Sequence, residues 1–190
     1  MRPATAVVTD LVSRITPYDD LERQHIATTL DWLHSTDDIF RRHRPGIPSP
    51  HLAVYVVMVD PEARGIHLGH HRLAHLQLPT GGHVETDEHP LAAAHREASE
   101  ELAITPVFDV AGDEPLFLTV STVRTSPAHT DISLWFAIRG DRARQYRLDP
   151  VEFDGGRWWD LDPYGLPETD PHLPRFIRKL DTILLPQECR

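Results

Sequence analysis

The chain has 190 residues, 40% of them hydrophobic, and a formal net charge of −10, which fits one core domain with a modest extension. The acidic balance argues against binding to nucleic-acid polymers and would repel a polyanionic substrate unless cations compensate. Because no apolar run could span a bilayer, no apolar signal core follows Met1, and the single cysteine, Cys189, cannot form an intrachain disulfide, we expect a cytoplasmic protein without membrane attachment.

Residues 4–45 are predicted to be helical. Thr16 can cap the second helix, and Pro17 suits its first turn. Apolar residues at helical spacing form two stripes, one made of Val8, Leu11, Val12 and Ile15 and the other of Ile26, Leu30 and Leu33. Such stripes suit packing against a core or against a second copy of the chain, so a homodimer is one expectation.

The segment PGIPSP at residues 45–50 is rich in helix breakers and predicts a boundary. We expect a helical extension over residues 1–45 and the main domain over residues 46–190. After the boundary the pattern changes to short apolar and β-branched runs that are typical of strands. These runs cover residues 51–60, 65–70, 74–78, 106–110, 116–124, 131–139 and 156–161.

Two further helices are predicted among these strands. One covers residues 91–102, and the other is expected to begin at Asp170, which can act as its cap. The apolar stripe of the second helix comprises Leu173, Ile177, Leu180 and Leu184. The layout predicts a mixed α/β (α+β) fold.

Carboxylates on the central helix are the strongest chemical signal in the sequence. Glu97, Glu100 and Glu101 lie at i, i+3 and i+4, so all three project from one helix face. Like charges at this spacing destabilise an isolated helix. They suit hard divalent cations such as Mg²⁺ or Mn²⁺, which prefer oxygen ligands. Considered alone, the helix could equally present a solvated acidic face.

Residues 82–104, GHVETDEHPLAAAHREASEELAI, resemble the Nudix box, whose pattern is G-x5-E-x7-R-E-U-x-E-E-x-G-U with U apolar. The fixed letters are matched by Gly82, Glu88, Arg96, Glu97, Glu100 and Glu101. Ala103 stands where the pattern has glycine, a residue that commonly ends a helix in the left-handed conformation. The resemblance implies a Nudix fold over roughly residues 51–162, with a mixed β-sheet sandwiched between helices.

The resemblance implies a metal-dependent hydrolase that cleaves a diphosphate bond by attack of water on phosphorus. Metal would neutralise the substrate and activate water, and a carboxylate would complete its deprotonation. Arg96 is expected to pair with carboxylates, including Glu88, and to orient them. The implied catalytic residues are Glu100, Glu101 and Arg96. The implied ligands of Mg²⁺ or Mn²⁺ are Glu97, Glu100, Glu101 and a backbone carbonyl of Gly81 or Gly82.

Members of the family commonly supply one more carboxylate from a loop after the box, and Glu152 is the candidate here. Glu152 precedes Trp158 by six residues, the spacing between a glutamate and a strand tryptophan in mutator-type triphosphate hydrolases of the family. The pair Gly155-Gly156 predicts a flexible turn that could close over a nucleotide. The alternatives are Asp131, Asp154 and Glu85.

Histidines and aromatic residues give weaker signals. The 13 histidines are scattered and are interpreted as surface or half-buried positions rather than as a metal cage. His70, His71 and His75 resemble a metal cluster only in composition, and with Arg72 they suit a loop near phosphate or plain surface. Four aromatic residues could stack a base but are mostly expected in the core: Tyr55, Phe117, Trp135 and Phe136.

The sequence does not name the substrate, because specificity lies outside the box. Val120 occupies the position where ADP-ribose hydrolases of the family carry proline. Residues 78–85 and 129–135 resemble actinobacterial Nudix proteins with helical N-terminal extensions. A nucleotide-like small molecule, either a nucleoside triphosphate or a nucleoside diphosphate-X compound, is the default expectation.

Two other functions remain as alternatives. A non-catalytic Nudix ligand sensor would usually have lost box glutamates, and this chain keeps them all. A Nudix-fold isopentenyl diphosphate isomerase would need an active-site cysteine, and Cys189 is badly placed for that role.

Overall fold

The computed structural model describes residues 2–40, 50–123 and 129–185. The predicted boundary at residues 45 and 46 and the lone Cys189 lie outside these ranges. The described elements are α1 (Pro3–Arg14), α2 (Asp20–Ser35), β1 (His51–Asp60), β2 (Gly65–His71), β3 (Gln77–Leu78), β4 (Thr80–His83), α3 (Pro90–Leu102), β5 (Phe117–Val123), β6 (His129–Arg139), β7 (Phe153–Asp160) and α4 (Leu173–Leu184).

All seven described strands join one mixed sheet with β1 at its centre. On one side β1 runs parallel to β6, from the pair His51–Asp131 to the pair Val59–Arg139. On its other side β1 pairs antiparallel with β4 along its first half and with β2 along its second half. Strand β1 is buried nearly throughout, as its continuous apolar run predicts.

Successive residues of β1 point to opposite faces of the sheet, and each face has its own core. Leu52, Val54 and Val56 face the first core, which is shared with α1, α2 and α3. Val57 and Val59 face the second core, which is shared with α4. The predicted mixed sheet between helices is therefore confirmed, as is burial of the α4 stripe over Leu173, Ile177 and Leu180. In the described part of the chain, no helix is long and apolar enough to cross a membrane.

Several predicted boundaries are wrong because long-range contacts override local signals. Helix α2 is capped by Asp19 rather than by Thr16, and the Asp19 carboxylate accepts the Glu22 N–H at 2.8 Å. The same carboxylate binds Arg175 of α4, which favours capping at this position. Helix α4 begins at Leu173 rather than next to Asp170, whose carboxylate accepts the His172 N–H.

The predicted strand at residues 106–110 is also wrong, since this segment is irregular in the structure. Pro106 has no N–H to donate to a sheet. The Asp109 side chain is instead hydrogen-bonded by Arg139 at the end of β6. Strand β3 is reduced to the two residues Gln77 and Leu78.

A buried ion pair connects the N-terminal helix α2 with the C-terminal helix α4. Glu22 of α2 is fully buried, and its carboxylate accepts a hydrogen bond from Lys179 Nζ of α4 at 2.8 Å. The backbone N–H groups of Tyr18 and Leu118 also donate to this carboxylate. Helix α2, the edge strand β5 and α4 therefore meet at the Glu22 carboxylate, which accepts three hydrogen bonds.

Replacing Lys179 by methionine is expected to lower the free energy of unfolding by about 3–5 kcal/mol, because it leaves the Glu22 carboxylate buried without a cation. Urea denaturation would measure this loss. The double variant Glu22→Gln/Lys179→Met is the control, because two neutral side chains of similar size should recover most of the stability. Equal stability of Lys179→Met and the wild type would show that the pair is not stabilising.

Ala103 ends α3 in the left-handed conformation, with φ 53° and ψ 39°, as its place in the box pattern predicts. Glycine tolerates this conformation better than alanine. The substitution Ala103→Gly is therefore expected to raise the free energy of unfolding by about 1 kcal/mol. The exposed helical residue Ala92 gives the matched control, since Ala92→Gly should lower it by about 0.5–1 kcal/mol. A loss of stability in both variants would contradict the argument.

Candidate active site

Helix α3 carries the box glutamates and lies against β4. Its apolar face packs into the first core through Ala93, Ala94, Ala98 and Leu102. Glu97 and Glu101 are also buried, with 7% and 3% of their surface exposed, whereas the side chain of Glu100 is 59% exposed. The three carboxylates therefore divide into a buried pair that faces β4 and one group that is open to solvent.

The backbone of Gly81 and Gly82 lies directly against the two buried carboxylates. The Gly81 N–H donates to Glu101 Oε2 at 2.8 Å. A Cβ atom on Gly82 would lie 2.3 Å from Glu97 Oε1, and one on Gly81 would lie 2.1 Å from the Val54 carbonyl oxygen. Only glycine permits so close an approach, which explains the Gly-Gly pair.

Arg96 connects the carboxylates of the box. It binds Glu88 in bidentate fashion, through Nε and Nη2 at 3.0 Å each. Its Nη1 donates to Glu97 at 2.7 Å and to Glu100 at 3.2 Å, and its Nη2 also donates to the His83 carbonyl oxygen. The hydrogen bonds with Glu88 raise the pKa of Arg96, which stays fully charged. The structure thus shows the pairing of Arg96 with Glu88 and gives Arg96 the geometry of a positioning residue.

The structure brings Glu152 next to the box helix. Glu152 immediately precedes β7, and its carboxyl group lies close enough for its negative charge to raise the pKa of both Glu97 and Glu101. Burial raises the pKa of Glu101 to about 9, and the negative charges of Glu97 and Glu152 act in the same direction, while the Gly81 N–H opposes them. Burial is also the main reason why the pKa of Glu97 is raised.

The donor set of this site fits a hard divalent cation. Among the residues that the structure describes, Arg96 is the guanidinium bound to the box carboxylates, while the acidic groups at the site are Glu88, Glu97, Glu100, Glu101 and Glu152. Burial raises the pKa of Glu97 and Glu101. A cation bound beside these two carboxyl groups would favour their charged forms and so lower their pKa. Donors that are all oxygen favour Mg²⁺ or Mn²⁺ over softer ions.

The other carboxylates considered for the remote position have contacts of their own. Glu85 is exposed beyond the end of β4, where its N–H donates to Glu88. Asp154 binds Arg72 at 2.8 Å and lies 3.5 Å from His70. Asp131 lies among histidines at the start of β6.

The expectation of a flexible turn at Gly155-Gly156 is wrong, because both residues belong to β7 and Gly156 pairs with Gly69 of β2. A Cβ atom on Gly156 would lie 2.4 Å from Leu148 and 2.7 Å from His67. The glycine therefore permits close packing of β7 rather than movement.

The aromatic residues are placed mainly as predicted, and the histidines only in part. Phe117, Trp135 and Phe136 are fully buried in the core. His71 lies 4.0 Å from Glu152. The expectation that the histidines are merely scattered is wrong for one set, in which potential ligand atoms lie within 4.8 Å of one another: His51, His83, His129 and Asp131. One sequence pattern could have pointed to this set. The alternation His129-Thr130-Asp131 places two potential ligands on one face of a strand.

Comparisons with known proteins agree with this geometry. The model of the NUDIX domain family matches residues 49–180. Among curated proteins, none matches the chain significantly. The dihydroneopterin triphosphate pyrophosphohydrolase of E. coli is structurally similar, with a TM-score of 0.56 and 16% identity over 78% of this chain and 99% of that chain.

Two further solved structures have the same fold. An Ap4A hydrolase from C. elegans has a TM-score of 0.53 and 17% identity over 70% of this chain and 96% of its own. A NUDIX-family hydrolase from Clostridium perfringens has a TM-score of 0.50 and 21% identity over 71% of this chain and 99% of its own. Since the family model matches most of its length, the chain belongs to the NUDIX domain family and is a Nudix pyrophosphohydrolase.

Proposed function

We propose that the enzyme hydrolyses a diphosphate bond in a nucleoside triphosphate or a nucleoside diphosphate-X compound, with Mg²⁺ or Mn²⁺ as cofactor. The observation that carries the proposal is the buried pair Glu97 and Glu101, which lies against the backbone of Gly81 and Gly82 with Glu152 alongside. The residues that would hold the metal are Glu97, Glu100, Glu101 and a backbone carbonyl of Gly81 or Gly82.

A divalent cation bound there would neutralise the diphosphate oxygens and lower the pKa of water. The carboxylate of Glu152 accepts the proton as the water oxygen forms its bond to phosphorus and the bridging P–O bond breaks. Arg96 keeps Glu97 and Glu100 in place through its hydrogen bonds. Glu100, which is open to solvent, is the box carboxylate that an incoming polyanion with its cation meets first.

The proposed organisation keeps a helical extension over residues 1–45 and the catalytic domain over residues 46–190, in a cytoplasmic enzyme. The described part of the extension shares the first core, so its role in this proposal is to stabilise the sheet. The box glutamates favour hydrolysis over ligand sensing, because a sensor would have no use for buried carboxylates gathered against Gly81 and Gly82.

Exhaustive chelation is expected to abolish turnover, and added Mg²⁺ or Mn²⁺ is expected to restore it, because the carboxylates then regain their cation. Release of phosphate or pyrophosphate from a panel of nucleotides would measure this. Binding of a nucleotide without hydrolysis at any metal concentration would favour the sensor. Full turnover in chelator, with no metal detected in the protein, would refute the mechanism.

A further inference from the structure

Three neighbouring strands bring a second group of potential ligands together at one end of the sheet. This histidine cluster consists of His51, His83, His129 and Asp131. His51 begins β1 and stands beside Asp131 of β6 in the parallel register, while His83 ends β4 opposite Ala53 of β1. His129 lies two residues before Asp131, so both side chains point to the same face of β6.

The imidazoles of the histidine cluster converge on a single carboxylate oxygen. The Nε2 atoms of His51, His129 and His83 lie 2.9, 3.5 and 3.9 Å from Asp131 Oδ1. One potential ligand atom from each residue lies within 4.8 Å of all the others. In a tetrahedral zinc site with bonds of about 2.0–2.1 Å, ligand atoms are roughly 3.3 Å apart. The cluster therefore needs only small movements to enclose an ion.

The site lies at the margin of the core. His51 is fully buried, and the side chains of the other three members are partly exposed, 11% for His129, 16% for Asp131 and 30% for His83. The ring of His51 stacks on that of His129, with centroids 5.1 Å apart and planes 21° apart, and lies 4.9 Å from the ring of His83. Packing of this kind fixes the direction of each nitrogen, as an ion site requires.

Hydrogen bonding alone explains this convergence less well. A neutral imidazole carries one N–H and one bare nitrogen, so it can donate to a carboxylate from one side only. A carboxylate oxygen has two lone pairs and accepts about two hydrogen bonds, fewer than the three ring nitrogens gathered here. Three nitrogens and one oxygen at these separations match the arrangement of ligands that share a cation.

We propose that the histidine cluster binds a divalent transition metal ion of the Zn²⁺ class, in a site separate from the box glutamates. Three imidazole nitrogens and one carboxylate oxygen are a ligand set that suits Zn²⁺. Imidazole favours zinc and related ions, whereas Mg²⁺ prefers oxygen. The two sites therefore select different ions by donor type, nitrogen-rich in one and all-oxygen in the other.

An ion at the histidine cluster would also stabilise the position of the β4 backbone at the box site. The His83 carbonyl oxygen accepts a hydrogen bond from Arg96 Nη2 at 3.0 Å, and His83 directly follows Gly82. Fixing the His83 side chain would thus fix the end of β4, where the Gly81-Gly82 backbone meets Glu97 and Glu101. The histidine cluster acts on the box site through position and does not itself contact the box carboxylates in this proposal.

Cobalt binding in the presence of excess Mg²⁺ tests the proposal, because Mg²⁺ masks the glutamates and Co²⁺ reports nitrogen ligation through its visible absorption. The full chain, stripped with chelator, is expected to bind one equivalent of Co²⁺ that Zn²⁺ then displaces. His129→Gln and Asp131→Asn should weaken binding by at least about tenfold. His51 is left intact because its burial makes a folding defect the expected result of substitution.

Two control variants make the result specific. His34→Gln removes an exposed histidine of α2 and should bind Co²⁺ as the wild type does. Glu101→Gln alters the box site and should also keep the cobalt spectrum. Melting temperatures identify any variant that fails to fold, and only folded variants are compared.

Three outcomes would overturn the proposal: no Co²⁺ uptake by the wild type in Mg²⁺, wild-type affinity in folded His129→Gln and Asp131→Asn, or loss of the spectrum in Glu101→Gln. None of these concerns turnover with Mg²⁺. The proposed hydrolase function therefore stands or fails by separate measurements.

Discussion

Replacing Glu101 by glutamine is expected to lower kcat by about three orders of magnitude at saturating substrate and Mg²⁺. Glu101 is the most deeply buried box carboxylate; it accepts the Gly81 N–H, and the charge of Glu152 raises its pKa. Glutamine has the same size and keeps an oxygen for the Gly81 N–H, so the fold should persist. Its neutral amide cannot neutralise a cation, and that loss is the reason for the low kcat.

Stability separates a catalytic defect from a folding defect in this variant. Burial raises the pKa of Glu101 to about 9, so near pH 7 this carboxyl of the metal-free protein takes up a proton on folding, which costs stability. Glutamine avoids that cost, so the melting temperature of the metal-free variant is expected to rise. Glu97→Gln should behave in the same way, whereas Glu168→Gln, at an exposed position between β7 and α4, should leave both kcat and the melting temperature unchanged. Near wild-type turnover in both box variants would mean that the box is vestigial and would favour the sensor.

Glu152→Gln is expected to reduce kcat by about a hundredfold while KM changes little, because a group that takes a proton from water acts in the transition state. The proposal rests on the position of the Glu152 carboxyl group, whose charge raises the pKa of Glu101 and which lies 4.0 Å from His71. Steady-state kinetics at several Mg²⁺ concentrations would separate a slower chemical step from weaker metal binding.

Asp154→Asn provides the matched control for Glu152→Gln, since Asp154 lies two residues further on and binds Arg72. It should leave kcat close to that of the wild type. Normal turnover in Glu152→Gln would exclude Glu152 as the base, and a low kcat in Glu85→Gln would assign the role to that carboxylate. A low kcat in Asp131→Asn would assign it to Asp131 only if His129→Gln, which also alters the histidine cluster, keeps normal turnover.

The sequence predicts the catalytic helix well because its signals are local. The spacing of Glu97, Glu100 and Glu101 defines one helix face, and Ala103 ends the helix where the box pattern places its glycine. Which of the three carboxylates is buried depends on how β4 lies against the helix. That contact joins distant parts of the chain and has no periodic signature.

Local signals mislead where long-range pairing decides the structure. Gly155-Gly156 has the composition of a turn, yet pairing with β2 makes it a strand. Thr16 and Asp19 are both good caps, and the contact between Asp19 and Arg175 of α4 favours the second. Each of these outcomes depends on a partner that is remote in sequence.

Sequence analysis does not predict the histidine cluster, because its members are remote from one another in sequence. His51, His83 and Asp131 come from three separate strands, and only the register of β1 with β4 and β6 brings them together. The alternation of His129 and Asp131 on β6 was visible, but two ligands do not define a site. An amphipathic pattern predicts that a strand exists and does not predict its neighbours.

The contact between Glu22 and Lys179 has a consequence for biosynthesis, since the two residues are 157 positions apart. At typical synthesis rates, Lys179 is added about 8–30 s after Glu22. During that interval the nascent chain holds α1 and α2 without the cation that Glu22 binds in the folded protein. The charged contact between α2 and α4 is therefore completed late in synthesis, whereas the apolar stripes of α1 and α2 can already pack into the first core once β1, α3 and β6 have been made.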